Sequence, residues 1–231
     1  MLERVVEINE GKSTVFQYEQ DCETAISNVF NGEYTTQGLF IKGHPVIIDI
    51  GANLGSFSIW VLKKWDPSYV YCYEPLKSNF NQLQKNISLL PQISTKFILV
   101  NKAVEAPSTK LYANTQGPAS SSFYECPFKT AEFEEVETMS AEELPECSIL
   151  KVDTEGCEVD IITKYLKTHH KPILIQFEYH REKDRVNLDH LLYTYNYKLS
   201  ACFTLGLGFG LYFYVDGDQV GLPIEAASRL E

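Results

Sequence analysis

The sequence predicts an α/β fold in which a mostly parallel sheet carries helices on both faces and an antiparallel hairpin at one edge. Three features point there. From residue 46 onward, short apolar runs alternate with amphipathic stretches, the rhythm of strand and crossover helix. The first run, Val46-Ile47-Ile48-Asp49-Ile50, is nearly continuous in its hydrophobicity, as a strand buried on both faces must be, and it ends on a turn holding Gly51 and Gly55. Near the end of the chain, two β-rich segments, 198–205 and 211–215, flank Gly206, Gly208 and Gly210 and read as the edge hairpin.

The elements between follow from local spacing. After the glycine turn, Phe57, Trp60, Val61 and Lys64 recur at helical intervals until Asp66-Pro67, where proline disfavours a helical predecessor. Residues 70–74 form the second strand. Phe80, Leu83, Ile87 and Leu90 then share one helical face, closed by Pro91, and 97–100 make a third strand. Regularity resumes with a strand at 149–152, a helix from Gly156 bearing Val159, Ile162 and Leu166, a strand at 173–179, and a helix whose face is Leu188, Leu191, Leu192 and Tyr195. In between, residues 104–147 break the rhythm with turn residues at 114–122 and an acidic run from Glu132 to Glu146, a pattern expected of a hairpin or lid with a solvated surface. Residues 1–44 lack a clear core pattern and are expected to form an N-terminal extension covering the sheet or the site, ahead of a domain spanning 45–229.

The 231 residues suit one large α/β domain, and 44% hydrophobic content is that of an ordinary globular chain. Lys and Arg number 20 against 31 Asp and Glu, a net charge of −11 that repels phosphate backbones and anionic lipid. No Lys/Arg cluster with interleaved aromatics appears, so neither nucleic acid nor a membrane is an expected partner. Met1 to Glu10 alternates charged with apolar residues, unlike a signal peptide, and the expected location is cytoplasmic. Cys22, Cys72, Cys126, Cys147, Cys157 and Cys202 lie scattered, without metal-ligand spacing, and read as buried free thiols. His169-His170 stands at a helix end, where histidine favours the dipole, and reads as capping.

The turn Asp49-Ile50-Gly51-Ala52-Asn53-Leu54-Gly55 lies where an open α/β sheet binds ligands. Glycines admit a ligand close to the backbone, and the following helix offers free N–H groups. Glu74, 19 residues after Gly55, ends the next strand, where a carboxylate can accept both hydroxyls of a ribose. A dinucleotide fingerprint wants a second glycine where Asn53 stands, and Asp49 opposes a diphosphate. S-adenosylmethionine, with a sulfonium, an ammonium and no phosphate, suits the turn better. The expected cofactor residues are Asp49, Gly51, Asn53, Gly55, Glu74 and Pro75.

The runs IDIGANLGSFS, YCYEPLKSNFNQLQKNI, ILKVDTEGCEVDII and ILIQFEYH resemble the FkbM family of S-adenosylmethionine-dependent methyltransferases over most of residues 34–180. The specific part is Glu74-Pro75 with Leu83 and Asn86, followed by Lys151-Val152-Asp153-Thr154-Glu155-Gly156-Cys157-Glu158; Ser120-Ser121-Ser122 is similar to that family's serine-containing loop. The resemblance implies a Rossmann-like class I methyltransferase fold, a seven-stranded sheet with the fourth and fifth strands beside the first. It also implies O-methylation of a hydroxyl on a small-molecule or glycan acceptor. One departure is Asn196-Tyr197, where the family often has Gly-Tyr before the sixth strand.

Polar residues concentrate at the ends of the two strands where an acceptor would approach. Lys151, Asp153 and Glu155 alternate on one, and Gln176, Glu178 and His180 on the other, each at the period of two that shares a face. Methyl transfer from a sulfonium is an in-line displacement, helped by a base that takes the hydroxyl proton. His180, with an ordinary pKa of about 6.5, suits that task or is a structural histidine. Asp153 is the other base candidate, or a ligand for the cofactor's ammonium, or an orienting group. Glu178 and Glu155 read as substrate hydrogen-bonding groups or helix caps, and Lys151 as substrate-binding. Asp153, Glu155 and Glu178 also offer oxygen ligands to magnesium, but no metal is expected. The rival readings are a cofactor-binding module without chemistry and a nucleotide-dependent oxidoreductase.

Overall fold

The computed structural model describes residues 1–9, 12–35, 39, 41–112, 133–206 and 209–218. An antiparallel pair, β1 (Leu2–Asn9) and β2 (Lys12–Tyr18), leads to helix α1 (Glu23–Phe30). Strands β3 (Val46–Ile50), β4 (Tyr69–Tyr73) and β5 (Phe97–Val100) then alternate with α2 (Ser56–Trp65) and α3 (Lys77–Ser88). Short strands β6 (Ala103–Val104), β7 (Lys110–Tyr112), β8 (Phe133–Glu135) and β9 (Thr138–Met139) follow. The chain continues with β10 (Ile149–Val152), α4 (Glu158–Thr168), β11 (Leu174–Tyr179), α5 (Glu182–Thr194), β12 (Tyr197–Gly206) and β13 (Phe209–Asp216).

The main sheet has seven strands in the order β12-β13-β11-β10-β3-β4-β5. The five from β11 to β5 are parallel, and β13 and β12 add antiparallel at the edge, as the alternation of runs predicts. The fourth strand of the crossover series, β10, lies directly beside β3, and β11 lies outside it. Alternate residues of the central strands feed two cores. Ile47, Val70, Ile149 and Leu174 face α2 and α3, whereas Ile48, Ile50, Leu150 and Val152 face α4 and α5.

The first 35 residues do have a core pattern. Val6, Ile8, Phe16 and Tyr18 alternate at strand period and join the cluster built on α2, with β1 against α2, β2 against α3 and α1 against α2. Asn86 of α3 acts as a substitute strand partner for β2: its Oδ1 accepts from the Gln17 N–H at 3.0 Å and its Nδ2 donates to the Gln17 carbonyl at 3.1 Å.

In the insertion, β7 and β8 pair antiparallel, and β6 and β9 pair parallel. Val104, Leu111, Val136, Ala141 and Leu144 are buried, while Glu135, Glu137, Glu142, Glu143 and Glu146 are exposed, so the acidic run alternates solvated carboxylates with core contacts. Residues 113–132, with Ser120-Ser121-Ser122 and Cys126, lie outside the described residues. Cys22, Cys72 and Cys157 are buried, Cys147 is half-buried, and Cys202, expected to be buried, is exposed on the edge strand.

Two local turns have clear causes. Asn196 takes φ +62°, a left-handed conformation that asparagine tolerates better than most residues, and so does the work of the glycine the family often has there. Helix α4 begins at Glu158 rather than Gly156, because Glu155 (φ +59°) and Gly156 (φ +127°) are both left-handed and cannot continue a helix. His169 ends α4 as expected of a capping residue, stacked on Tyr165 and bonded through Nε2 to the Leu144 carbonyl at 2.7 Å. Among the described residues, no helix is long and apolar enough to cross a membrane.

Candidate active site

The turn after β3 leaves no room for side chains. Gly51 sits at φ +77°, and a Cβ there would stand 1.7 Å from the Asp153 carbonyl oxygen. Gly55, at φ +90°, caps α2, and its missing Cβ makes way for Leu83. Asn53 is also left-handed, at φ +50°. Asn86 secures the turn from below, donating to the Leu54 carbonyl at 2.9 Å. The turn is thus locked by Leu83 and Asn86, the two α3 residues that accompany Glu74-Pro75 in the sequence pattern.

Glu74 leaves the end of β4 nearly buried. Its Oε2 accepts from the Asn53 N–H at 2.8 Å and its Oε1 from the Leu76 N–H at 2.9 Å. Asn101 donates to the Glu74 and Pro75 carbonyls, at 2.8 and 2.9 Å, and fixes the backbone. Burial pushes the Glu74 carboxyl up to about 7, against the pull of the two N–H groups and Lys151. Glu74, Pro75, Gly51 and Asn53 line a cleft, with Tyr73, Leu76 and Leu111 as apolar walls.

Asp49 lies one layer below. It is fully buried, does not line the cleft, and directs Oδ1 at Lys151 Nζ (3.0 Å) and Oδ2 at the Ser58 hydroxyl, which donates to it at 2.6 Å. Register explains the pairing, since Asp49, Lys151 and Gln176 are neighbours across β3, β10 and β11. Lys151, its side chain 4% exposed, also donates to the Gly51 carbonyl at 2.8 Å and stands 3.6 Å from Asp153 Oδ2. Burial opposes its charge, but Asp49 and Asp153 hold the ammonium above its ordinary value. The lysine thus steadies the turn and also lines the wall of a cavity formed with Asp153 and Glu178, where a substrate-binding role was expected of it.

A second cavity shares Gly51, Asn53, Asp153 and Glu155 with the first and continues past Glu178 to Glu33 and Tyr34. His180, not itself among the lining residues, stands beside Glu155 and Glu178 of that wall, among carboxylates. Nε2 is 3.5 Å from Glu155 Oε2 and 3.6 Å from Glu178 Oε1, and Nδ1 is 3.6 Å from Glu158 Oε1. Burial works against the charged ring, but Glu158, Glu178, Asp153 and Glu155 together push it up to about 11. The surrounding carboxylates thus favour the protonated ring and lift it above the value near neutrality of an isolated histidine. Burial, partly offset by His180, pushes Glu155 up to about 7, and burial with Asp153 raises Glu178.

The structure thus brings Asp153, Glu155, Glu178 and His180 together, and separates the two readings of Glu155. The carboxylate that fixes the loop leading into α4 is Glu158, which accepts from the Thr154 and Gly156 N–H groups, both at 3.0 Å, while Glu155 faces His180. Glu158 stands in the sequence pattern, but its role depends on where α4 starts. Glu33 carries no local signal. It comes from the N-terminal segment, held by Tyr34, whose ring packs on Phe57 and Phe213 and whose carbonyl accepts from Gln176. Burial, then Glu178 and Asp153, push Glu33 up to about 7.

A parallel sheet with a glycine turn after its first central strand and a carboxylate at the end of the next defines a protein that binds a nucleoside-containing cofactor. Residues 49–199 match the family described as the methyltransferase FkbM domain, and the chain belongs to that family. Its cofactor is S-adenosylmethionine, and the residues fit that molecule. The cleft has a carboxylate, Glu74, held by two backbone N–H groups, a glycine backbone no side chain can cover, and a buried acceptor, Asn53 Oδ1, with no hydrogen-bond partner among the described residues. No curated protein matches the chain in sequence. Among solved structures, the FkbM methyltransferase of Methylobacillus flagellatus KT is similar at a TM-score of 0.56 and 15% identity, over 86% of this chain. This chain spans 56% of the length of that protein. The fibrillarin pre-rRNA processing protein of Methanococcus jannaschii is similar at a TM-score of 0.57 and 12% identity, over 93% of this chain and 83% of that one. At these identities the likeness is one of fold.

Proposed function

We propose that the chain methylates a hydroxyl of an uncharged small molecule or sugar, acting in the cytoplasm. The observation that carries this reading is the meeting of two cavities at Gly51, Asn53, Asp153 and Glu155, one leading to Glu74 and the other to a group of carboxylates. S-adenosylmethionine, when bound, supplies an electrophilic methyl group on a positively charged sulfur. Glu74 accepts the ribose hydroxyls, held in orientation by the Asn53 and Leu76 N–H groups. Gly51, Asn53, Gly55 and Pro75 shape the surface against which the cofactor lies, and Asp153 faces its ammonium end. Asp49 acts through Lys151 and Ser58, which keep the turn in place.

Displacement at a methyl carbon needs an aligned acceptor and little water. The N-terminal segment supports both needs, since Tyr34 and α1 wall the second cavity. Glu178 and Glu155 stand where an acceptor hydroxyl enters, Glu155 takes its proton, and His180 sets their spacing. Carboxylates at the acceptor end and a net charge of −11 favour an uncharged acceptor over a phosphate backbone. The test is transfer of a labelled methyl group from S-adenosylmethionine to a panel of alcohols, sugars, amines and RNA. Methyl ethers are expected; label confined to amines or RNA would overturn the hydroxyl reading, and no label anywhere would leave a binding module.

A further inference from the structure

We propose that Asp153, Glu178 and His180 bind a divalent first-row metal ion of the Mn²⁺ type at the acceptor end of the second cavity. One ligand atom from each lies within 4.8 Å of the other two, within reach of a single ion whose bonds are about 2.0–2.4 Å. The groups stand apart as ligands do. His180 Nε2 is 3.6 Å from Glu178 Oε1 and 3.5 Å from Glu155 Oε2, past hydrogen-bond contact with either.

A second, independent observation lies behind the ring. Nδ1, on the side away from Glu155 and Glu178, faces Oε1 of Glu158 at 3.6 Å. Glu158 is 0% exposed, and its Oε1 is fixed by the Thr154 N–H, the Thr154 hydroxyl and the Gly156 N–H. Neither Nδ1 nor Glu158 Oε2 has a hydrogen-bond partner among the described residues. A buried carboxylate behind the distal ring nitrogen is the arrangement that orients a metal-ligating histidine, directing Nδ1–H at the carboxylate and the Nε2 lone pair at the ion. Phe209, stacked on the ring at 6.4 Å, limits its rotation. One imidazole with two carboxylates is a mixed nitrogen and oxygen set without thiolate, which suits Mn²⁺ better than the soft metals.

The role of the ion rests on the methyl-transfer reading. It holds the acceptor oxygen and makes the hydroxyl more acidic. An oxygen lone pair forms the bond to the methyl carbon, the carbon–sulfur pair stays on sulfur as a neutral thioether, and the hydroxyl proton passes to the Glu155 carboxylate.

The test is titration of the EDTA-stripped full chain with MnCl₂, followed by electron paramagnetic resonance, with S-adenosylhomocysteine binding measured alongside by calorimetry. The expected result is one Mn²⁺ per chain with nitrogen coupling from an imidazole, lost in His180→Gln. Glu158→Gln should weaken Mn²⁺ about 10- to 100-fold with S-adenosylhomocysteine affinity unchanged, the mark of a positioning residue. A wild-type chain that binds S-adenosylhomocysteine but no Mn²⁺ would overturn the metal site and leave the cofactor reading standing. Mn²⁺ binding without nitrogen coupling would overturn the ligand assignment. Coupled Mn²⁺ without S-adenosylhomocysteine binding would support the metal site and sink the cofactor reading.

Discussion

The Asn53 N–H donates to Oε2 of Glu74 at 2.8 Å, tying the turn after β3 to the end of β4 at the mouth of the cleft. The carboxylate is thereby oriented before any ligand arrives, with lone pairs left for two hydroxyls. Glu74→Ala is expected to cost about 1.5–3 kcal/mol of cofactor affinity for each charge-assisted bond lost, roughly 10- to 150-fold in Kd. Calorimetry with S-adenosylhomocysteine measures it, and an unchanged Kd would remove Glu74 from the cofactor site.

Gly51→Ala meets two obstacles, a left-handed backbone and a carbonyl oxygen 1.7 Å from the new Cβ. Strain alone costs about 1–3 kcal/mol, and displacing Asp153 adds to it. Urea denaturation should show a loss at or above that range, with cofactor binding lost as well. A variant with wild-type stability would mean that the turn is not held against β10 as described.

Cofactor affinity should depend on pH through Glu74, whose carboxyl burial pushes up to about 7. The ionised form is the better acceptor for ribose hydroxyls, so affinity is full above pH 7 and falls as the pH drops through that value. For the fold without cofactor the sign is reversed. The folded-state value lies above the unfolded value of about 4.3, so stability from this group is fully present below pH 4.3 and is lost as the pH rises through 7. The rise in thermal midpoint on adding S-adenosylhomocysteine should therefore be larger at pH 8 than at pH 6. Equal shifts in wild type, or a pH dependence that survives in Glu74→Gln, would exclude Glu74 as the group responsible.

Lys151→Met leaves Asp49 fully buried without its counter-charge, and removing one partner of such a pair costs about 3–5 kcal/mol. Denaturant melts should show that loss. Lys151→Met combined with Asp49→Leu should recover part of it, because the second change removes the stranded charge. A double variant no more stable than the single one would show that the pair does not act as a unit.

Much of the sheet was legible because central parallel strands are buried on both faces, which forces runs such as Val46–Ile50 to be apolar almost throughout. The N-terminal strands were harder to read. Val6, Ile8, Phe16 and Tyr18 do alternate, but the surface they cover belongs to α2 and α3, far along the chain. The glycine turn could be read ahead, since the close approach of the Asp153 carbonyl demands Gly51, and so could the carboxylate that ends the strand at Glu74. The acceptor end could not. Whether Glu155 or Glu158 ties down the loop before α4 depends on left-handed backbone at 155 and 156, and the electrostatics of His180 depend on carboxylates drawn from β11, α4 and the loop between β10 and α4. Glu33 reaches the same place only because Tyr34 is anchored among Phe57, Trp60 and Phe213.

The central claim is that the cleft beside Glu74 holds S-adenosylmethionine, and calorimetric titration of the full chain with S-adenosylhomocysteine and, separately, with NAD tests it most directly. One molecule of S-adenosylhomocysteine should bind per chain, weakened in Glu74→Ala, with no heat from NAD. Binding of NAD in its place, or S-adenosylhomocysteine binding indifferent to Glu74, would contradict the account.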